Sequence, residues 1–416
     1  MENRYDKYKD SGIAWIGEIP EHWEVIDLKY LSDIRGRIGF RGYTVSDLVS
    51  EGEGAFVIGG KHINQCVLNM ESPDYISWDK YYESPEIMVS KGDIVMAQRG
   101  TLGKVAIIEY DINEATINPS LVLIKNIKCQ GKFLYYYLNS ESTLTLISIL
   151  NTATAVPMIS QNQIENMPIP IPSSVEQQSI ASYLDQKCGE IDKLITLQEE
   201  MITKLQSYKQ SVITEAVTKG LDKNVPLKDS GIEWIGEIPE HWSVVKIKYL
   251  AKIKSGDSIS SNEIMQEGIY EVYGGNGLMG FCNKKNVDGV NIIIGRVGAL
   301  CGNVRLISES KFITDNALIL NCFDNALYSY MYIMLKAANL NNLNTSNAQP
   351  LITGSKVLNV SLPIPPLSEQ QSIANYLDQK CSEIDELISI KQQKIEKLKD
   401  YKKSLIFECV TGKRKV

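Results

Sequence analysis

The sequence predicts a mixed α/β (α+β) fold: two α/β domains joined by two long antiparallel coiled-coil helices, built as an internal repeat with pseudo-twofold symmetry. Three observations predict it. Two segments recur almost unchanged, an apolar seam of helical period runs on from each copy of the second segment, and the stretches between alternate short β-rich runs with Gly turns. At 416 residues, 44 % hydrophobic and 22 % charged, the chain has material for about two or three domains. Its 43 Lys+Arg stand against 50 Asp+Glu, net −7. No overall field therefore draws it to nucleic acid or to an anionic membrane, and any DNA-facing surface has to be local.

Taking the elements in order, residues 9–31 (KDSGIAWIGEIPEHWEVIDLKYL) return as 228–250 (KDSGIEWIGEIPEHWSVVKIKYL), with 18 of 23 positions identical at an offset of 219. Residues 176–192 return as 369–385, 15 of 17 identical at an offset of 193. The difference of 26 is absorbed between the segments, where 32–165 (134 residues) faces 251–358 (108 residues) with scattered similarity. The order is constant, variable, constant, twice over, and divides into 1–167, 168–220, 221–358 and 359–416. A period of about 200 residues is far too long for a solenoid unit. Constant parts that meet the same surface twice, beside variable parts that meet two different ones, account for this pattern. The competing reading is a duplication whose loops drifted faster than its core.

After the proline-punctuated stretch 168–172, apolar residues recur at Leu184, Cys188, Ile191, Ile195, Ile202, Leu205 and Val212; after 363–366, Leu377, Cys381, Ile384, Ile388, Ile395, Leu398 and Leu405 copy the spacing. Each seam predicts a helix of about 40 residues, roughly 60 Å long, that needs a partner along its length. Ser173 and Ser368, shortly before Glu176 and Glu369, are candidate caps followed by first-turn carboxylates. Residues 221–227 join the first helix to the second constant segment and reach at most about 25 Å. The second helix is therefore expected to start near the far end of the first, antiparallel to it, with one variable domain at each end.

The variable stretches predict strands at 55–58, 93–97, 121–125, 269–273, 291–294 and 317–320. Several chemistries lack their residues. Residues 275–280 match GxGxxG, but 281–289 have no helical period and contain turn formers, so a Gly-rich turn is expected and not a dinucleotide site. The Gly-Lys pairs at 60–61, 103–104 and 131–132 lack the upstream glycine of a phosphate loop. Asn118-Pro119-Ser120 is the nearest approach to the Asn-Pro-Pro-aromatic motif that grips a flipped adenine in amino-methyltransferases. Three histidines leave little for triad chemistry. Eight cysteines without a CxxC pair supply no zinc template and read as reduced, mostly buried thiols. The chain reads as non-catalytic and metal-free. With a polar start and no apolar run near the roughly 18 residues of a membrane span, it is expected to be soluble and cytoplasmic.

The paired SGI-x-WIGEIPEHW segments (11–23 and 230–242), the paired PIP-then-EQQSIA-x-YLDQK helices and the variable blocks between them resemble the specificity subunit of a type I restriction-modification system over essentially the whole chain. Residues 92–105, 273–280, 294–304 and 313–318 are similar to stretches found inside that family's variable blocks. The resemblance implies that each variable block is a target-recognition domain reading one half of a bipartite site in double-stranded DNA. It implies that the helices form the spacer and dock two modification subunits, which carry S-adenosylmethionine and usually methylate adenine N6, with restriction subunits joining optionally. No cofactor is expected on this chain. A coiled-coil scaffold that holds two protein partners and never meets DNA is the alternative; a methyltransferase or nuclease lacks its motifs.

Candidate DNA contacts are Arg35, Arg37 and Arg41 in a Gly-containing stretch; Lys61 and His62 after Gly59-Gly60; Arg99 and Lys104 around Gly100 and Gly103; Tyr273 and Asn276 on the Gly-rich turn; and Arg296, Asn303 and Arg305 around Gly298 and Gly302. Cations reach phosphate or guanine, and glycine permits close backbone approach. The first block carries 11 Lys+Arg against 15 Asp+Glu and the second 9 against 8, so partners are expected to supply much of the phosphate grip. Candidate partner anchors are Trp15, His22, Trp23, Trp234, His241 and Trp242, since Trp is enriched in interface hot spots. Their competing role is packing against the helix ends.

Overall fold

Each constant segment first folds on itself. Tyr8–Asp10 pairs antiparallel with Glu18–Pro20 in the first copy, and Leu227–Asp229 with Glu237–Pro239 in the second. The strand that follows then closes a long loop. Glu24–Asp27 pairs with Pro168–Ile171, and Ser243–Lys246 with Ser361–Ile364, in two-stranded ribbons that lead into the long helices. Of the prolines that punctuate the sequence, Pro168, Pro170 and Pro363 thus lie in strands. A two-stranded ribbon tolerates their missing donors, and the alternate residues Ile169 and Leu362 are fully buried.

The computed structural model describes residues 4–37, 39, 42–64, 67–151, 156–298, 300–344 and 350–416. They form two compact units, Met1–Gln198 with Gln393–Val416, and Glu199–Gln392. The units cut across the four-part division of the sequence, because each long helix contributes one portion to each unit.

In unit 1, a four-stranded antiparallel sheet runs in the order Val105–Ile107, Ile94–Ala97, Leu121–Lys125, Asp33–Gly36. Alternate residues face opposite ways. Ile94, Met96, Val122 and Ile124 pack with Phe133 and Leu134 of the helix Gly131–Leu138, while Val95, Ala97, Leu121 and Leu123 pack with Ile58 and Ile117 of a second sheet. Burial on both faces is why these strands are nearly unbroken apolar runs. The second sheet runs Ala115–Ile117, Gly54–Ile58, Asp74–Ser77, Leu48–Val49, with its first pair parallel. Unit 2 repeats the layers. Ala251–Ser255, Ala317–Cys322, Asn291–Gly295 and Val304–Ile307 form the first sheet, and Gly277–Cys282, Tyr270–Gly274 and Phe312–Ile313 the second, again with one parallel pair.

The helices Ser174–Lys219 (46 residues) and Leu367–Val410 (44 residues) are slightly longer than the seams suggest. Within unit 1 their portions run antiparallel, with Leu184, Cys188 and Ile191 in one core with Leu405, Ile406, Cys409 and Val410, and Lys402 Nζ 2.7 Å from Asp192. Within unit 2, Val212, Ala216 and Val217 share a core with Ile373 and Leu377, and Lys209 Nζ lies 2.6 Å from Asp385. The two ion pairs are the same pair of repeat positions. Ser173 caps its helix as expected: its Oγ accepts from Glu176 N–H at 3.3 Å, and Glu176 accepts from Ser173 N–H at 3.2 Å. Ser368 does not. The helix already begins at Leu367, and the Glu369 carboxylate is taken by His241 (2.6 Å) and by Trp242 Nε1–H (2.9 Å).

Among the described residues no helix is long and apolar enough to cross a membrane.

Candidate nucleic-acid interface

In each unit three turns converge where strands of the two sheets end. In unit 1 they are 59–62, 98–104 and 118–120: Asn118 N–H donates to Ile58 O, Gln98 N–H to Ser120 O (both 2.9 Å), and Lys104 Nζ to Gly60 O at 3.4 Å. In unit 2 they are 274–277, 296–298 with 300–303, and 314–316: Thr314 N–H donates to Tyr273 O (2.9 Å), Arg296 N–H to Asn316 O (3.0 Å), and Arg305 Nη1 to Gly275 O at 3.2 Å.

The middle turn is one backbone frame built twice. Gly100 N–H donates to Pro157 O and Gly298 N–H to Pro350 O; Ile159 N–H donates to Gln98 O and Ile352 N–H to Arg296 O. Gly100 and Gly103 have φ of 80° and 77°, Gly298 and Gly302 of 84° and 86°, a left-handed conformation that glycine adopts without strain. These equivalences pair Gln98 with Arg296 and Arg99 with Val297. Arg99 and Arg296 therefore occupy adjacent, non-equivalent slots of the frame.

The structure sorts the expected DNA contacts. On the unit 1 edge Arg99 is exposed, with Nη2 3.3 Å from Met158 Sδ, and Lys61 is exposed and paired with Asp74 at 2.7 Å. Arg35 is half exposed, 3.7 Å from Asp33. Arg37 and His62 are buried, which corrects the expectation that they face a ligand. Arg37 bonds Thr116 Oγ1 (3.1 Å) and Ile117 O (3.3 Å) and lies over the Tyr43 ring. His62 Nδ1 accepts from Gly59 N–H at 2.9 Å, and burial pushes its pKa below the usual imidazole value, so it sits neutral beneath the turn. Arg41 lies outside the described residues. In unit 2, Asn276 and Asn303 are exposed and Tyr273 is half-buried. Arg305 is occupied, holding Gly275 O and, at 2.7 Å, Asn276 O. The GxGxxG stretch is a hairpin, Gly274 opposite Gly277, and runs on as a strand. Among the described residues no helix follows that could meet a pyrophosphate.

Of the expected partner anchors, Trp23 and Trp242 are buried at 0 % and 1 % exposure. This is a correction: they pack under the helix ends and are not offered to a partner. Trp242 bonds Glu369, whereas Trp23 Nε1 has no acceptor and the ring packs edge-on to Phe133. His22 and His241 are part-exposed and bond Glu176 (2.9 Å) and Glu369. Trp15 Nε1–H donates to Ser142 Oγ at 3.1 Å, while Trp234 is 41 % exposed. Sequence reasoning missed Tyr30 and Tyr249, a repeat pair 62 % and 67 % exposed with Lys29 and Lys248 over their rings. The signal was there, in an aromatic kept identical beside a stretch, 24–28, in which four of five residues differ between the copies.

Two sheet modules with one backbone frame and unlike side chains at its edge define a duplicated recognition protein. Residues 20–207 and 239–400 match the family model of the type I restriction modification DNA specificity domain. The chain is 24 % identical over 436 residues to the type I restriction enzyme MjaVIII specificity subunit of Methanocaldococcus jannaschii, covering 96 % of this chain and 94 % of that one. Its fold is similar to a chain from a structure of the assembly and conformational transition of a type I R-M system (TM-score 0.74, 16 % identity, 95 % and 99 % coverage) and to the HsdS subunit of Thermoanaerobacter tengcongensis (0.51, 16 %, 95 % and 98 %). The chain belongs to the type I DNA specificity family, and its function is that of a specificity subunit in a restriction-modification system. The scaffold without DNA recognition is set aside.

Proposed function

We propose that the turn edge of each unit reads one half of a bipartite site in double-stranded DNA, and that the long helices set the distance between the halves. The observation that carries this reading is the shared frame whose side chains differ: two different half-sites need the same approach and unlike contacts. Arg35, Lys61, Arg99 and Lys104 serve the first half-site; Tyr273, Asn276, Arg296 and Asn303 serve the second. Arg37, His62 and Arg305 hold the turns from within. Two modification subunits dock on the repeated constant segments, using His22, His241, Trp15 and Trp234 together with Tyr30 and Tyr249. Those subunits carry S-adenosylmethionine, restriction subunits join optionally, and the complex works in the cytoplasm. The chain by itself neither methylates nor cleaves.

Exchanging residues 32–165 for another family member's block tests this. Methylated sites mapped with the chimera and its modification subunit should change in one half only; change in both halves overturns the separate-reader assignment. The purified chain supplied with S-adenosylmethionine or ATP should show no turnover on DNA, and turnover by contaminant-free protein contradicts the non-catalytic role.

A further inference from the structure

Arg296 sits in a slot of the shared frame that the two units satisfy differently. In unit 1 the slot holds Gln98, whose Nε2 donates to Pro119 O at 3.2 Å, so the adjoining turn 118–120 satisfies it. In unit 2 the slot holds an under-bonded guanidinium. Nη1 donates to Ser255 Oγ at a long 3.3 Å, and Nε is sealed from water with no acceptor. In the adjoining turn Thr314 Oγ1, on a residue 2 % exposed, also has no partner. Buried polar atoms left unpaired are costly and rare, and they call for a partner. The hairpin is held against this point: a Cβ on Gly275 would lie 2.7 Å from Asn316 O and 3.6 Å from Arg296 N. Arg305, the other arginine at this edge, spends its donors on hairpin carbonyls.

We propose that Arg296 is the specificity-determining residue of unit 2 and takes the O6 and N7 acceptors of a guanine in the second half-site. The assignment rests on the DNA-reading role given to this edge. A guanine fits better than a phosphate for a reason visible in the frame. Phosphates are the same in both half-sites, so a phosphate contact gives this slot no cause to differ between units built on one backbone, whereas a base contact does. A guanidinium offers two parallel donors, which is what the guanine edge accepts.

The test uses the full chain assembled with its modification subunit, with competition binding on duplexes carrying each base at every position of the second half-site. The wild-type complex should prefer guanine at one position by roughly 5- to 150-fold. Arg296→Ala and Arg296→Met should bring all four bases there to within about twofold, leave the first half-site unchanged, and map in cells as a methylated motif degenerate at that position. Arg296→Lys, which keeps stem and charge, guards against a folding defect; it should retain most affinity and lose most of the guanine preference. Equal loss for every sequence would make Arg296 a phosphate contact and overturn the assignment, as would an unchanged preference. A wild-type complex with no bipartite preference would overturn the DNA-reading role itself, an outcome distinct from either.

Discussion

Unit 1 and unit 2 carry the same repeated residue in unlike surroundings at Trp15 and Trp234. In unit 1 the ten-residue helix Glu141–Leu150 brings Ser142 to the indole N–H and Leu144 and Ile147 to Gly103. In unit 2 the turn Leu340–Leu343 stands at the corresponding place, where Gly302 meets Leu340 and Asn341, and Trp234 is left part-exposed. At the turn edge the frame is constant and the side chains vary; at this site the side chain is constant and its cover varies. Identity between the copies therefore marks a shared task only where the residue has no different internal job in each unit, the case proposed for exposed Tyr30 and Tyr249.

The largest test of this comparison lies at the two buried tryptophans. Trp23→Ala and Trp242→Ala should each cost about 3–5 kcal/mol in urea unfolding. Phe in their place separates them: Trp242→Phe takes a hydrogen bond from Glu369 and should cost about 1–3 kcal/mol more than Trp23→Phe, whose indole N–H has no acceptor to lose. Equal costs would mean that the two anchors work alike.

Next come the glycines that end the long helices. Gly412 and Gly220 have φ of 71° and 74°, so an Ala at either is strained by about 1–2 kcal/mol. At Gly412 the added methyl would also lie 2.2 Å from Pro20 Cδ, against 3.2 Å from the Trp242 ring at Gly220. Gly412→Ala should lower the melting temperature clearly more than Gly220→Ala; the reverse order would contradict the packing described.

Smaller again, Trp15→Ala should cost about 1–2 kcal/mol for a half-buried, bonded indole, and Trp234→Ala within about 0.5 kcal/mol. If Trp234→Ala instead weakens capture of the modification subunit while Trp15→Ala spares it, the exposed copy is the docking one.

The smallest effect is in acid. Burial alone would raise the Glu176 pKa, but hydrogen bonds from His22 and Ser173 outweigh it and hold the carboxyl below its usual range. A depressed folded value stabilises above the unfolded pKa, about 4.3, and that contribution is lost as pH falls through the folded value. Glu176→Gln should therefore be less stable than the parent at pH 6 and converge with it as pH falls below the usual carboxylate range. A constant gap across that range would assign the effect to lost geometry and not to charge.

Much of this protein is local in its causes, and so the sequence alone determined it. The repeats announced two units, the seams announced two long helices, and the apolar runs at 94–97, 121–125, 291–295 and 317–322 are strands because a β-run between Gly turns has few other ways to bury itself. The cation-bearing turns were legible as well, since strand ends and glycines are written in short range. Which of their side chains face outward was not. Burial of Arg37 depends on Thr116 being brought against it, and the equivalence of Arg296 with Gln98, not Arg99, emerges only when Pro157 and Pro350 accept from the glycines of the frame. Those contacts join residues tens of positions apart whose spacing differs between the copies. Pattern and propensity act over a few residues, whereas the exposure and partners of a side chain are set by whatever the folded chain carries to it.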